Sequence, residues 1–295
     1  LKTIQIWNPE TRAFEDELVY GEELIRFLYD HPVGKTVRPP LTAAFLSQAY
    51  GWLQSHSSSA KKVAPFIEKF SIPMQEFEPG PFGSFNEFFI RRFKSGQRPI
   101  AMVPSEMPAP AEGRYLGWQE VTQNTLLPIK DLRIDALELL DHAPEASWFQ
   151  GGPGMIARLC PVDYHRYHFM DSGVLLRDFW VRGGLESVSP IALARKPEIL
   201  VTNERQVSIL QTENFGRIAY IAVGAMMVGR IVDSYSGREP FKRGQEKGYF
   251  LFGGSTVVIL GEPGKWAPTD EILNTTRSGF ETKVKLGTVV ARAIP

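Results

Sequence analysis

The sequence predicts an α+β chain: a helical region over residues 1–100, then a mainly antiparallel, β-rich region over residues 101–295. Three observations carry this. Apolar residues recur at helical spacing in the first hundred residues, as Leu41, Phe45, Ala49 and Leu53 show, with Trp52 on a neighbouring row. Ser84 and Glu87 have capping-box spacing ahead of Phe88, Phe89, Ile90 and Phe93, which marks a helix start. From about Pro108 onward, short runs of β-branched and aromatic residues alternate with glycine-marked turns.

In chain order, Glu22 to Tyr29 reads as a short helix ended by Pro32. The Pro39-Pro40 pair punctuates the chain before the Leu41 stripe. Serines 57–59 break it again before a shorter helix that ends near Phe70. A Pro/Gly loop over 79–83 leads into the capped helix at Ser84. In the second region, Ile134 to Leu140 is the one expected helix. Strands are expected at 175–181, 218–223, 229–232, 249–252, 256–260 and 282–291.

Composition excludes several classes of function. Lysine plus arginine and aspartate plus glutamate number 33 each, so no global field favours nucleic acid. Cys160 is the one cysteine, which rules out an internal disulfide framework and a cysteine-based zinc site, and a reducing compartment is expected. No run approaches the roughly 18 to 20 apolar residues of a spanning helix, and no signal peptide is visible.

Three motifs hold chemistry. Gly253 and Gly254 precede Ser255 between two strand-like segments, so the backbone there bends freely and is open to close attack. Taken alone, Gly-Gly-Ser-Thr is an ordinary hairpin or bulge. His165 and His168 stand three apart in Pro-Val-Asp-Tyr-His-Arg-Tyr-His-Phe, on one face of a helix or on opposite faces of a strand. No carboxylate or cysteine ligands at matching spacing accompany them, so no metal is expected. They suit two separate proton transfers, or one core and one solvated histidine. Glu112, between proline-rich sequence and Gly113, is either a solvated turn residue or the acid that orients a histidine.

Together these motifs resemble the phosphatidylserine decarboxylase family, and the resemblance covers most of the chain. It includes Ser84-Phe-Asn-Glu-Phe-Phe89 with Arg91, Arg92 and Arg98-Pro-Ile100, then Pro128-Ile-Lys130, the histidine block and Thr202-Asn-Glu-Arg205. It continues through Val223-Gly-Ala-Met-Met-Val-Gly229 and the glycine-serine run to Glu281-Thr-Lys-Val284.

The resemblance implies a self-processing enzyme with a covalent pyruvoyl cofactor. Ser255 attacks the carbonyl of Gly254, the ester eliminates, and hydrolysis leaves a pyruvoyl group at the new N-terminus of residue 255. A neutral hydroxyl needs an adjacent base; the resemblance gives that role to His168, with Glu112 fixing its tautomer, and gives the proton donor of decarboxylation to His165. Where this chain has Glu112 the family commonly has aspartate. The extra methylene bears on both maturation and substrate, because a misplacement of about an ångström can cost roughly a hundredfold in rate.

The implied substrate is phosphatidylserine; the alternative is a free aromatic amino acid, as in soluble relatives. A non-catalytic lipid-binding relative and a serine hydrolase built on Ser255, His168 and Glu112 are further readings, though no Gly-x-Ser-x-Gly elbow surrounds Ser255. A lipid substrate implies a peripheral enzyme on the cytoplasmic face of a membrane; otherwise the protein is cytoplasmic. Trp52, Phe45, Phe66 and Phe70 beside Lys61 and Lys62 would then form the docking surface, or those aromatics pack on the catalytic region. Arg91, Arg92 and Lys94 form a small basic cluster. A homodimer is implied by the resemblance alone.

Overall fold

The computed structural model describes residues 4–42, 51–122, 135–196, 198–226, 230–253 and 255–295. In chain order the first strands are β1 (Gln5–Asn8), β2 (Ala13–Asp16), β3 (Glu106–Pro108), β4 (Gly113–Trp118) and β5 (Gly154–Leu159). There follow β6 (Arg166–His168), β7 (Gly173–Val181), β8 (Arg205–Thr212), β9 (Arg217–Val223) and β10 (Ile231–Asp233). The last are β11 (Glu246–Phe250), β12 (Ser255–Gly261), β13 (Trp266–Pro268), β14 (Glu281–Val284) and β15 (Val289–Ala293).

Among the described residues, nine strands form one sheet in the order β2-β1-β14-β4-β5-β12-β9-β8-β7. Only β1 and β14 run parallel; the other pairings in it are antiparallel. β10-β11-β6 and β13-β15-β3 form two small sheets. The α+β class and the antiparallel bias expected from the sequence are therefore present. β12 lies inside the large sheet between β5 and β9, and every one of its residues is buried.

Most expected elements appear with shifted ends. Glu22–Asp30 is helical, but Pro32 opens the next helix, Pro32–Leu41, so the Pro39-Pro40 pair lies in a last turn instead of a break. Proline is tolerated at a helix start because its missing N–H would be unpaired there anyway. Phe45 and Ala49 of the expected apolar stripe lie outside the described residues, as do Ile134, Pro128-Ile129-Lys130, Met227 to Gly229 and Gly254. Thr282 to Ala291 is two strands, split where Gly287 takes φ 84°, a left-handed conformation that favours glycine.

Residues 5–16 differ from the helical expectation. They form the hairpin β1-β2, whose β1 extends the large sheet alongside β14. Four-residue strands are too short for their alternation to stand out, and Ile6 finds its buried place only against a strand nearly 280 residues away in sequence. The capping box at Ser84 forms in modified shape. Ser84 Oγ accepts from Glu87 N at 3.2 Å, but the Glu87 carboxylate takes the Gly83 N–H, at 2.6 Å.

An aromatic core joins residues from both sides of position 100. Phe66, Phe77, Phe85, Phe88 and Phe89 pack with Tyr164, Phe252 and Leu286. Phe66 is thus a core residue and Phe70 packs against it, whereas Trp52 is 68% exposed.

Candidate active site

Ser255 is the first residue of β12. Its backbone is held on one side by β5, where it pairs with Leu159, while Thr256 pairs with Arg158 and with Val223 of β9. Gly253 precedes it with φ 146°, a conformation that side-chain-bearing residues rarely adopt. One residue earlier, the Phe252 N–H donates to Asn86 Oδ1 at 2.8 Å. Asn86 itself donates to Gly51 O (3.0 Å) and Ser55 Oγ (2.8 Å). The helix that begins at Ser84 therefore fixes the approach to the Gly-Gly-Ser segment from one side and the sheet fixes its exit from the other.

The Ser255 hydroxyl is fully buried and, among the described residues, has no hydrogen-bond partner. Leaving such a group unsatisfied costs about 1–3 kcal/mol, which a fold tolerates where the group has work to do. Gly253, two residues before Ser255, lines a cavity of about 440 Å³ whose wall also includes Glu17, Tyr20, Arg158, Cys160 and Phe252.

His168 is the last residue of β6 and His165 stands just before its first, its carbonyl accepting from Phe250 N at 2.9 Å, so the pair is not on a helix. His165 is wholly buried against the Phe89 ring, with ring centres 3.9 Å apart. Its Nδ1 lies 3.1 Å from Asp163 O and that of His168 lies 3.0 Å from Gly244 O. A carbonyl only accepts, so each Nδ1 carries the proton and each Nε2 presents a lone pair. Both Nε2 atoms are buried and, among the described residues, have no hydrogen-bond partner. The Gly253 backbone lies near enough to the His165 ring to favour its protonation, yet burial dominates and pushes His165 down to about 3. Burial also lowers His168. Both are neutral imidazoles near pH 7, the form that accepts a proton.

Glu112 does not meet His168. Its carboxylate grips Arg98 at 2.7 and 3.2 Å and accepts from Leu286 N at 3.3 Å. Arg98 is further tied to Glu76 at 2.8 Å. In this structure the carbonyl of Gly244 orients His168, the task expected of Glu112. No hydrogen bond joins Ser255 to either histidine. The structure thus gathers the Ser255 segment, both histidines and Glu112 around one aromatic core but leaves the proton acceptors unconnected.

Sequence reasoning missed the ionic floor of the site. Arg158 on β5 donates to Glu17 (2.7 Å) and Glu281 (2.9 Å), and its Nη1 lies 2.8 Å from Cys160 Sγ. Arg114 on β4 is ion-paired with Glu17 (2.6 Å) and Asp163. Burial alone would raise Glu17, but Arg158 and Arg114 outweigh it and hold the carboxyl well below its usual range. Burial pushes the Cys160 thiol up, so it stays protonated and donates to Glu17 at 2.7 Å. Arg91 completes the frame by donating to Val162 O (2.9 Å) and Asp163 O (3.3 Å), the carbonyl that also takes His165. Arg91 and Asn86 stood inside a quoted motif, but nothing in their spacing shows which backbone atoms they hold.

The neutral histidines predict an acid-sensitive fold. A folded-state value depressed below the ordinary 6.5 means that the unfolded chain binds the proton first as pH falls. Stability is therefore complete above about pH 6.5 and is lost as the pH falls toward 3, with His165 contributing about 1.4 kcal/mol per pH unit. Denaturant unfolding of uncut protein between pH 7 and 5 is expected to show this slope, reduced in His165→Asn. Equal stability across that range would show that His165 is not buried as described.

Among the described residues no three His, Cys, Asp or Glu side chains come together as a metal site. The profile of the family described as phosphatidylserine decarboxylase matches residues 85–292. A phosphatidylserine decarboxylase proenzyme of Clostridium beijerinckii is 36% identical over 287 residues, covering 96% of this chain and 97% of that protein. The proteins of the same name from Ruminiclostridium cellulolyticum and Clostridium perfringens are each 37% identical, over 99% and 97% of this chain and 98% and 99% of theirs. A buried serine behind paired glycines, two neutral histidines in one block, and similarity along nearly the whole length make this chain a member of the phosphatidylserine decarboxylase family.

Proposed function

We propose that the protein cuts its own backbone ahead of Ser255 and then decarboxylates phosphatidylserine to phosphatidylethanolamine through a pyruvoyl group made from that serine. The observation that carries this is the Ser255 hydroxyl, buried, unpartnered and preceded by Gly253 at φ 146°. The name proenzyme borne by the relatives supports a processed chain.

The residues present fit the group. Its precursor opens an interior strand two residues after Gly253, which lines the cavity, and among the described residues no side-chain hydrogen bond has to break to form it. A pyruvoyl carbonyl supplies an electron sink for the pair released as carbon dioxide leaves. The protein's own part is to move protons and exclude water. In maturation, His168 Nε2 takes the Ser255 proton while Gly244 O holds Nδ1–H. In decarboxylation, His165 returns a proton to the substrate carbon; its imidazole must first collect that proton, because burial keeps it neutral. Phe89 and Phe252 wall off the site from water.

We also assign the protein to the cytoplasmic face of a membrane, as a peripheral homodimer. The exposed Trp52 and Leu53, at 68% and 53%, support the first. β7, the last strand of the large sheet among the described residues, with Val174, Leu176 and Trp180 exposed, supports the second. Among the described residues no helix is long and apolar enough to cross the bilayer.

The test pairs mass spectrometry with a decarboxylation assay. Denatured protein is expected as two pieces, 1–254 and 255–295, the native protein as a dimer of that pair, and phosphatidylserine vesicles as a source of phosphatidylethanolamine. His165→Ala should mature but turn over at least about a hundredfold more slowly. His168→Ala should stay uncut. The opposite phenotypes would exchange the two roles, and an intact but fully active chain would end the proposal.

A further inference from the structure

We infer that Lys69 recognises the phosphodiester of the phosphatidylserine headgroup, and that the Leu18–Leu24 side of the same cavity receives the start of the acyl chains. This rests on the function proposed above and adds what selects the substrate.

Two cations, Arg158 and Lys69, contribute to the cavity wall that Gly253 also lines. Arg158 is already committed, gripping Glu17 at 2.7 Å and Glu281 at 2.9 Å while buried to 4% exposure. Lys69 is exposed and, among the described residues, has no ion pair or hydrogen bond. Its Nζ lies 5.5 Å from the centre of the Phe70 ring. An anion entering the cavity therefore meets one cation that is spoken for and one that is not.

The place of Lys69 is fixed by packing. It belongs to the last turn of the helix Val63–Phe70, which is anchored by Phe66 against Phe85. The Tyr20 ring bridges this helix to the reacting segment, 6.0 Å from Phe70 and 5.8 Å from Phe252. Only a few bonds separate the serine amine from its phosphorus. A substrate whose amine reaches residue 255 thus carries its phosphate toward the outer wall of the same cavity.

That outer wall is apolar as well as cationic. Leu18 and Leu24 line it while remaining 70% and 43% exposed. A free aromatic amino acid offers one ring to cover them but no anion for Lys69 beyond the carboxylate that must depart. A glycerophospholipid offers both an apolar chain and a phosphodiester, so the cavity fits the lipid better.

The test uses dihexanoyl phosphatidylserine below its micelle concentration, so that attraction to a bilayer plays no part. Lys69→Met is expected to raise KM roughly tenfold, the scale of one lost charge-assisted contact, with kcat within about twofold and maturation complete by mass. Lys69→Arg should restore most of the loss. Calorimetry of the same lipid on the uncut Ser255→Ala chain should show a matching loss of affinity for Lys69→Met, independent of turnover. Unchanged KM and affinity would overturn the inference and leave the function standing. So would a defect seen only on anionic vesicles, which would make Lys69 a surface charge, or a fall in kcat alone. A parent protein that matures but leaves phosphatidylserine untouched would overturn the function and this inference together.

Discussion

Ser255→Ala is expected to remain one polypeptide of 295 residues and to form phosphatidylethanolamine only at background. The change removes the attacking oxygen and the atom from which the carbonyl would be made, so maturation and turnover fail together. It should not fail by unfolding. The lost hydroxyl is buried and unpartnered, and relieving it returns up to about 1–3 kcal/mol, against a small cost for the vacated space. Urea denaturation should therefore find Ser255→Ala at least as stable as any other uncut form. A Ser255→Ala chain that is still cut at the same bond would show that another nucleophile opens it.

Arg158→Leu is expected to have the largest effect on stability. The guanidinium is buried between Glu17, Glu281 and Cys160, so its loss strips Glu281 of its ion partner and leaves the nearby Glu17 with Arg114 alone. Breaking a buried pair from one side costs about 3–5 kcal/mol, whereas replacing all partners with matched uncharged groups costs far less. Denaturant unfolding in the Ser255→Ala background should show that loss, and adding Glu17→Gln and Glu281→Gln should recover much of it. Because Arg158 on β5 pairs with Thr256 of β12, the single variant should also slow maturation in the otherwise native chain. A loss under about 1 kcal/mol would mean that water or a shift of the strand satisfies the two acids.

The parts of this fold that show in the sequence are those governed by near neighbours. Ser84 and Glu87 announce a helix because cap and helix lie within one turn, and the prolines and glycines of 79–83 announce the loop before it. β7 and β9 stand out by their residue types. β4 and β5 do not, because each is buried along almost its whole length and carries an arginine where a core strand should be apolar. Arg114 and Arg158 make sense only beside Glu17 and Glu281, which lie far off in the chain. The same limit applies to the site. The motifs select Ser255, His165 and His168, but that Glu112 answers to Arg98, and that carbonyls of Asp163 and Gly244 set the histidine tautomers, follows from three-dimensional contacts that spacing does not encode.

The placement of β12 and β14 bears on what a break ahead of residue 255 would release. β12 is wedged between β5 and β9, β14 between β1 and β4, and β15 between β13 and β3. The trailing fragment, which also holds β13, would thus be interlaced with the leading one along five strand pairings, two at β12, two at β14 and one at β15. Scission would yield no free peptide: the halves would stay clasped as a two-chain body, and prying them apart would mean dismantling the whole architecture. Maturation in such a molecule alters chemistry at a single new terminus while leaving the scaffold that holds it in place.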